Sequence, residues 1–115
     1  MFENTQNLIL AGIQNQLNNE ILLLNEKIEG KEKQAPVFSL SSKNYSYQCT
    51  DDSGTGTNYK NLVIFDLAIL KKTILPFIIH DTLLLKNIDK RRMDAIMNLY
   101  SEENNKQIFI SFDEL

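Results

Sequence analysis

Residues 74–81, ILPFIIHD, constrain this chain more than any other stretch. Ile74, Leu75, Pro76, Phe77, Ile78 and Ile79 form an apolar run of strand length, which reads as a buried strand. The run stops on His80 and Asp81, and another acid, Asp89, follows one short loop later. A strand that serves packing alone gains nothing by ending on a histidine and a carboxylate, because buried polar groups cost free energy unless paired. A cation or phosphate bound at the strand's C-terminal edge would use both.

The flanking segments set the context. Residues 4–33 hold no proline and, before Gly30, only Gly12, which predicts one long helix. Leu10, Leu17 and Leu24 recur every seven residues, and Ile21 and Ile28 fall four residues after two of them. That is the preference of a coiled-coil seam, with Gln14 as the polar exception. It is equally the pattern of an amphipathic helix packed on its own domain, so both readings are open. Gly30 suits a left-handed C-cap, and Pro36 prevents the helix from continuing. Val37, Phe38 and Leu40 predict one strand and residues 45–50, YSYQCT, a second, with SSKN as the turn between them. Tyr45 and Tyr47 read as hairpin packing.

The glycine-bearing polar loop DDSGTGTN, residues 51–58, runs into YKNLVIFDLAILKK, a mostly buried helix through Leu62, Phe65, Leu67, Ala68, Ile69 and Leu70. Thr57 or Asn58 is its expected N-cap. After the strand at 74–80, Asp89 begins a helix through Tyr100, with Met93, Ile96, Met97 and Tyr100 on one face. QIFIS, residues 107–111, is the final strand. Helix, hairpin, helix, strand, helix, strand is an α/β order, and its last two strands are expected to pair in parallel.

Bulk properties narrow the function classes. The chain has 115 residues, enough for one domain with a modest core. A net charge of −3 predicts no general attraction to nucleic acid or anionic membrane. Asp66, Lys71, Lys72, His80 and Asp81 interrupt the most apolar region, residues 62–85, so no membrane-spanning helix is expected. The single cysteine, Cys49, cannot form an internal disulfide, and the N-terminus lacks a signal-peptide pattern; both point to the cytoplasm.

The polar residues then converge on one edge. Ligands of parallel sheets sit outside the carboxyl ends of the strands. Helix N-termini present free N–H groups and a positive dipole end to phosphate. An apolar strand closed by Asp81 is a Walker B pattern, whose carboxylate orients the water shell of a nucleotide-bound Mg²⁺. The plainer readings are a solvated carboxylate for Asp81 and a simple β–α turn for Ser53 and Gly54. His80 reads as a hydrogen-bonded positioner or as a base, and one histidine with scattered acids makes no zinc set. Asp89 reads as a helix N-cap. Lys86, Lys90, Arg91 and Arg92 read as a solvated helix face, with DNA contact as the alternative.

In this order the segments resemble the C-terminal half of the ABC-type ATPase heads of SMC and RecN-like proteins, in which a coiled coil separates two halves of one nucleotide-binding fold. SGTG at 53–56 resembles the signature loop, PFIIHD the Walker B strand and Asp89 the acid of the D-loop. KQIFIS resembles the strand leading to the switch region, and LLLNEKI the returning coiled-coil arm. FDLAIL, FIIHDTLLLKNID and the last strand are similar to the family called domain of unknown function 2326, over residues 45–111.

The resemblance implies a coiled-coil-like helix at 1–33 and a C-terminal head lobe at 34–115, forming part of a P-loop NTPase-like sheet. It implies ATP and Mg²⁺ as ligands of the assembled head only. Ser53, Gly54, Gly56 and Asp89 would lie at the nucleotide, Asp81 at Mg²⁺ through water, and His80 in a catalytic place. The implied partners are an N-terminal ATPase lobe or coiled-coil arm, a second copy of the chain, and DNA through the complex, in repair or in defence against foreign DNA.

The departures favour a rival reading, a non-catalytic dimerisation or interaction module with a degenerate head fold. Thr82 stands where such heads place the catalytic glutamate, and Phe112 where many place the switch histidine. The loop lacks the usual double glycine, and no G-x-x-x-x-G-K-[ST] occurs anywhere in the chain. Without those phosphate-cradling amides and that lysine, the purified chain is expected to show no ATP turnover and at most weak ATP binding. Turnover by the purified chain that disappears in Asp81→Ala would contradict this expectation.

Overall fold

In the computed structural model, which describes residues 2–49 and 54–111, the chain opens with α1, Phe2–Glu29. The helix ends where Gly30 takes a φ of 83°, a left-handed conformation that costs glycine no Cβ clash. The Gly30 amide donates to the Glu26 carbonyl at 2.8 Å, satisfying one of the last-turn acceptors.

Four of the five heptad residues of α1 lie in the chain's own core, and Leu10 does not. Leu17, Ile21, Leu24 and Ile28 are buried against Val63, Ile64, Leu67 and Ala68 of α2, Thr55–Lys72. Ile96 and Leu99 of α4, Lys90–Glu102, close the same cluster. For these residues the amphipathic-helix reading holds, and the expected seam is not available to a second helix. Towards the N-terminus the stripe runs past the core, leaving Leu8, Ile9 and Ile13 exposed.

The hairpin explains the polar exception in the stripe. β1, Val37–Leu40, pairs antiparallel with β2, Tyr45–Gln48, through a turn in which the Ser41 hydroxyl donates to the Asn44 carbonyl and accepts its amide. The outer edge of β1 lies against α1. There the Asn18 carboxamide accepts from Phe38 N and donates to Phe38 O, both at 2.8 Å. Gln14 accepts from Leu40 N at 2.9 Å. Two helix side chains thus do for β1 what a third strand would do, and they blunt an edge open to mispairing.

α2 starts earlier than the sequence suggested. Gly54 is the N-cap, without a side-chain capping bond, while Thr57 and Asn58 lie inside the helix and Thr57 is buried. Of the residues expected in the core, Leu67, Ala68 and Leu70 are buried, but Leu62 is 48% exposed.

β3, Phe77–Asp81, and β4, Gln107–Ser111, form the expected parallel pair, in register from Phe77↔Gln107 to Asp81↔Ser111. Between them lie a single-turn helix, α3 (Thr82–Leu85), which the sequence did not reveal, and α4. The apolar run at 74–79 is not a buried strand throughout. Ile74 is exposed, the strand begins at Phe77, and its burial alternates. Ile78 and Ile110 pack towards the helices, while Phe77, Ile79 and Phe109 face outwards and are exposed. The Phe77 and Phe109 rings meet edge-on, with centroids 5.6 Å apart.

Burial separates the two halves of α1 energetically. Leu24→Ala should cost about 2–5 kcal/mol by removing a fully buried side chain, whereas Ile9→Ala should change stability by less than about 0.5 kcal/mol. Urea unfolding measures both; equal losses would mean that the N-terminal stripe is also buried.

Candidate functional site

The alternation that turns Phe77 and Ile79 outwards turns His80 inwards, and its side chain is 1% exposed. Nε2 lies 2.9 Å from Asp66 Oδ2 on α2, and Nδ1 lies 2.6 Å from the Tyr100 hydroxyl on α4. An ionised carboxylate can only accept, so Nε2 donates to Asp66, and in the neutral ring Nδ1 accepts from the Tyr100 O–H. Burial, aided by the Asp66 charge, pushes the Tyr100 hydroxyl above its ordinary value, which keeps it a donor. Both ring nitrogens are engaged, the geometry of a positioner joining α2, β3 and α4.

Asp81, the next residue, lies on the opposite face and is exposed. Its Oδ1 accepts from Leu84 N at 3.1 Å and caps α3. Thr82, in the place of a glutamate, donates its hydroxyl to the Ser111 carbonyl at 2.8 Å, tying the end of β3 to the end of β4. A hydroxyl held in this way stabilises the strand ends and is no general base.

The first turn of α2 sits against the start of α4. A Cβ placed on Gly56 would meet Arg92 Nη1 at 3.3 Å, Asn87 O at 3.5 Å and Asp89 Oδ1 at 3.6 Å. Asp89 caps α4, accepting from Arg92 N at 3.3 Å, and pairs with Arg92 Nη1 at 2.9 Å. Burial alone would raise the Asp89 carboxyl, but the bonds from Arg92 hold it below its ordinary value. Gly56 and Asp89 therefore lie side by side. Ser53 and Phe112 lie outside the described residues.

Sequence reasoning missed the group that organises this neighbourhood. Glu29, the last residue of α1, accepts from Arg91 Nη2 at 2.8 Å and Arg92 Nε at 2.9 Å, and lies 3.2 Å from Lys60 Nζ. The side chains of Glu29 and Lys60 are each 1% exposed. Lys60 also donates to Asn25 Oδ1 at 2.8 Å, and Arg91 to the Ile28 carbonyl at 3.0 Å. Arg92, expected on a solvated face, is instead 13% exposed and structural, whereas Arg91 reaches Glu29 from an exposed position and Lys90 is solvated and pairs with Asp94 at 3.0 Å. The available clue was Lys60, which shares a helical face with the apolar Ile64 and Leu67. Burial alone would raise the Glu29 carboxyl, but Arg91, Lys60 and Arg92 hold it below its ordinary value of 4.5.

Among the described residues no cluster of His, Cys, Asp and Glu could hold a metal by itself, and no helix is long and apolar enough to cross a membrane. Asp81 alone could reach a cation only through water or through a ligand that brings its own oxygens.

Comparison with known proteins gives a family and a fold. The family described as uncharacterised protein conserved in bacteria (DUF2326) matches residues 13–115. No curated protein matches the sequence. A solved structure from structural biochemistry on the ATP-driven dimerization and DNA-stimulated activation of SMC ATPases is similar, with a TM-score of 0.62. At 14% identity the match covers 90% of this chain and 70% of that one, a likeness of fold.

The buried ion cluster makes a prediction about acid. A carboxyl whose folded pKa is lowered contributes stability that is fully present above its unfolded value and is lost as pH falls through the folded value. Glu29→Gln should therefore cost about 3–5 kcal/mol at neutral pH, because it strands Lys60 without its counter-ion. It should also flatten the decline in stability below the ordinary carboxyl value of 4.5. Urea unfolding across acidic pH measures both effects; a variant as stable as the parent would contradict the assignment.

Proposed function

The chain belongs to the DUF2326 family, and from that premise we propose that it is the C-terminal lobe of an SMC-like ATPase head, completed by a separate P-loop-bearing lobe. The observation that carries this reading is the unfinished parallel sheet. Parallel strands are ordinarily covered on both faces, and two strands alone are marginal. Among the described residues β3 and β4 stand alone as a pair, with Phe77, Ile79 and Phe109 uncovered on one face. Asp81 lies at the C-terminal end of that pair, where a Mg²⁺-bound nucleotide held by the other lobe would meet it. In this reading Ser53, Gly54, Gly56 and Asp89 form the rim that faces the nucleotide. His80 is a positioning residue behind Asp81, and the exposed N-terminal half of α1 meets the partner's coiled-coil arm. Mg²⁺ and ATP are ligands of the assembled head, a second copy completes the dimer, and DNA-related work in repair or defence is the setting.

A second reading, the non-catalytic interaction module, is favoured by Thr82, whose hydroxyl is committed to Ser111 O. The two readings differ in whether the completed assembly binds nucleotide.

Reconstitution tests the proposal. Co-expressed with a P-loop-bearing SMC-like N-terminal lobe from the same genome, the chain should co-purify with it. Phe77→Lys with Phe109→Lys should abolish co-purification and leave the chain folded, with its own stability lower by about 1–2 kcal/mol for the lost ring pair. Mg²⁺-dependent nucleotide binding by the complex should be lost in Asp81→Ala. Co-purification that is indifferent to the double lysine variant would refute the docking face. A complex that forms but binds no nucleotide would favour the module.

A further inference from the structure

The hairpin has one guarded edge and one open edge. On β1, the N–H and C=O of Phe38 and the N–H of Leu40 point away from β2 and meet Asn18 and Gln14 of α1. Opposite residues of an antiparallel pair alternate between exchanging both main-chain bonds and exchanging none. Tyr47, opposite Phe38, and Tyr45, opposite Leu40, are therefore the residues whose main-chain groups point outwards from β2. Among the described residues no protein group bonds to them.

That edge is held firmly and carries no guard. Tyr47 donates its O–H to the Asn61 carbonyl at 2.6 Å and packs its ring on Phe65, with centroids 4.8 Å apart. These contacts fix β2 on α2 and leave its outer side open. Tyr45–Gln48 holds no proline and no charge, two of the devices that keep a strand edge from pairing. Donors and acceptors that repeat at every second residue of a strand suit one chemical class, another extended peptide backbone.

We propose that β2 pairs antiparallel with β2 of a second copy, about a twofold axis through Ser46. The strand is self-complementary in that register, as an isologous contact requires. Each Tyr45 exchanges N–H···O bonds with Tyr47 of the other copy, since both point outwards. On the α2 face Tyr45, 72% exposed in a single copy, comes to lie across from Tyr47 and near Leu62, which borders the same groove. On the other face Ser46 meets Ser46, and Asn44 meets Gln48, whose carboxamides match donor to acceptor. No like charges oppose one another, and aromatic and hydroxyl pairs are among those that stabilise facing strands. A hairpin alone is marginal, whereas added strands stabilise it. The pairing needs neither nucleotide nor a P-loop-bearing lobe, so it stands apart from the head assembly proposed above.

The purified chain without nucleotide should show a monomer–dimer equilibrium in sedimentation, and the Tyr45 and Tyr47 amides should exchange more slowly as concentration rises. Ser46→Lys sets two cations face to face on the axis. It should weaken the dimer about tenfold or more and leave the urea midpoint of the dilute monomer unchanged. In a Cys49→Ser background, Ser46→Cys should cross-link the copies on mild oxidation, because facing residues of a non-bonded pair lie within disulfide reach. It also serves if Ser46→Lys does not fold. Leu23→Cys, exposed on α1, is the control and should not cross-link. A monomer at every concentration, a dimer that Ser46→Lys leaves intact, or one that Ser46→Cys fails to lock would overturn the proposal. Protection of the Tyr45 and Tyr47 amides that appears only with the P-loop-bearing lobe would assign the edge to that lobe and overturn it equally.

Discussion

One carboxylate sets the relative position of three helices. Glu29 ends α1, Lys60 lies in the second turn of α2, and Arg91 and Arg92 lie in the first turn of α4, so their ion pairs join segments distant in the chain. The gross attraction inside this cluster is large, but desolvating the charges offsets most of it, and a well-packed apolar replacement could match its net stability. Its stronger effect is on geometry. Apolar contacts along α1 and α2 would tolerate sliding and rotation, whereas a guanidinium fork on a buried carboxylate accepts few orientations. With Glu29 fixed, Arg92 reaches back to Asp89, and the start of α4 is brought against Gly56.

The sheet edge depends on that arrangement. His80 hangs β3 between α2 and α4 through Asp66 and Tyr100, while Asp81 on the other face caps α3. Two adjacent residues thus serve opposite faces, as the strand period requires. The inner face is satisfied by the chain itself. The outer face, with Phe77, Ile79 and Phe109, is not, and this asymmetry is what an incomplete α/β layer looks like.

Much of the fold was legible because local chemistry decided it. Gly30 is at a positive φ, Asp89 caps α4, the SSKN turn closes the hairpin, and β3 pairs in parallel with β4. Each follows from a few neighbouring residues. The errors came where distant segments compete for a residue. Gln14 looked like a flaw in a coiled-coil stripe, yet it completes the edge of β1. Arg92 looked solvated because Asp89 and Asp94 flank it, yet it is largely buried on Glu29. Ile74 looked like the start of a core strand, yet the strand begins at Phe77.

The sequence by itself determined which segments are helix or strand, where most of them stop, and that an acid stands at the end of a parallel strand. These depend on backbone propensity, capping and periodicity, which act over a few residues. Only the tertiary structure decided that Leu17, Ile21, Leu24 and Ile28 of α1 fill the chain's own core and that His80 is clamped on both nitrogens. It also decided that Glu29 gathers three cations. Those outcomes turn on burial, which strips water from a side chain and makes its nearest polar neighbour decisive, and that neighbour can lie anywhere along the chain.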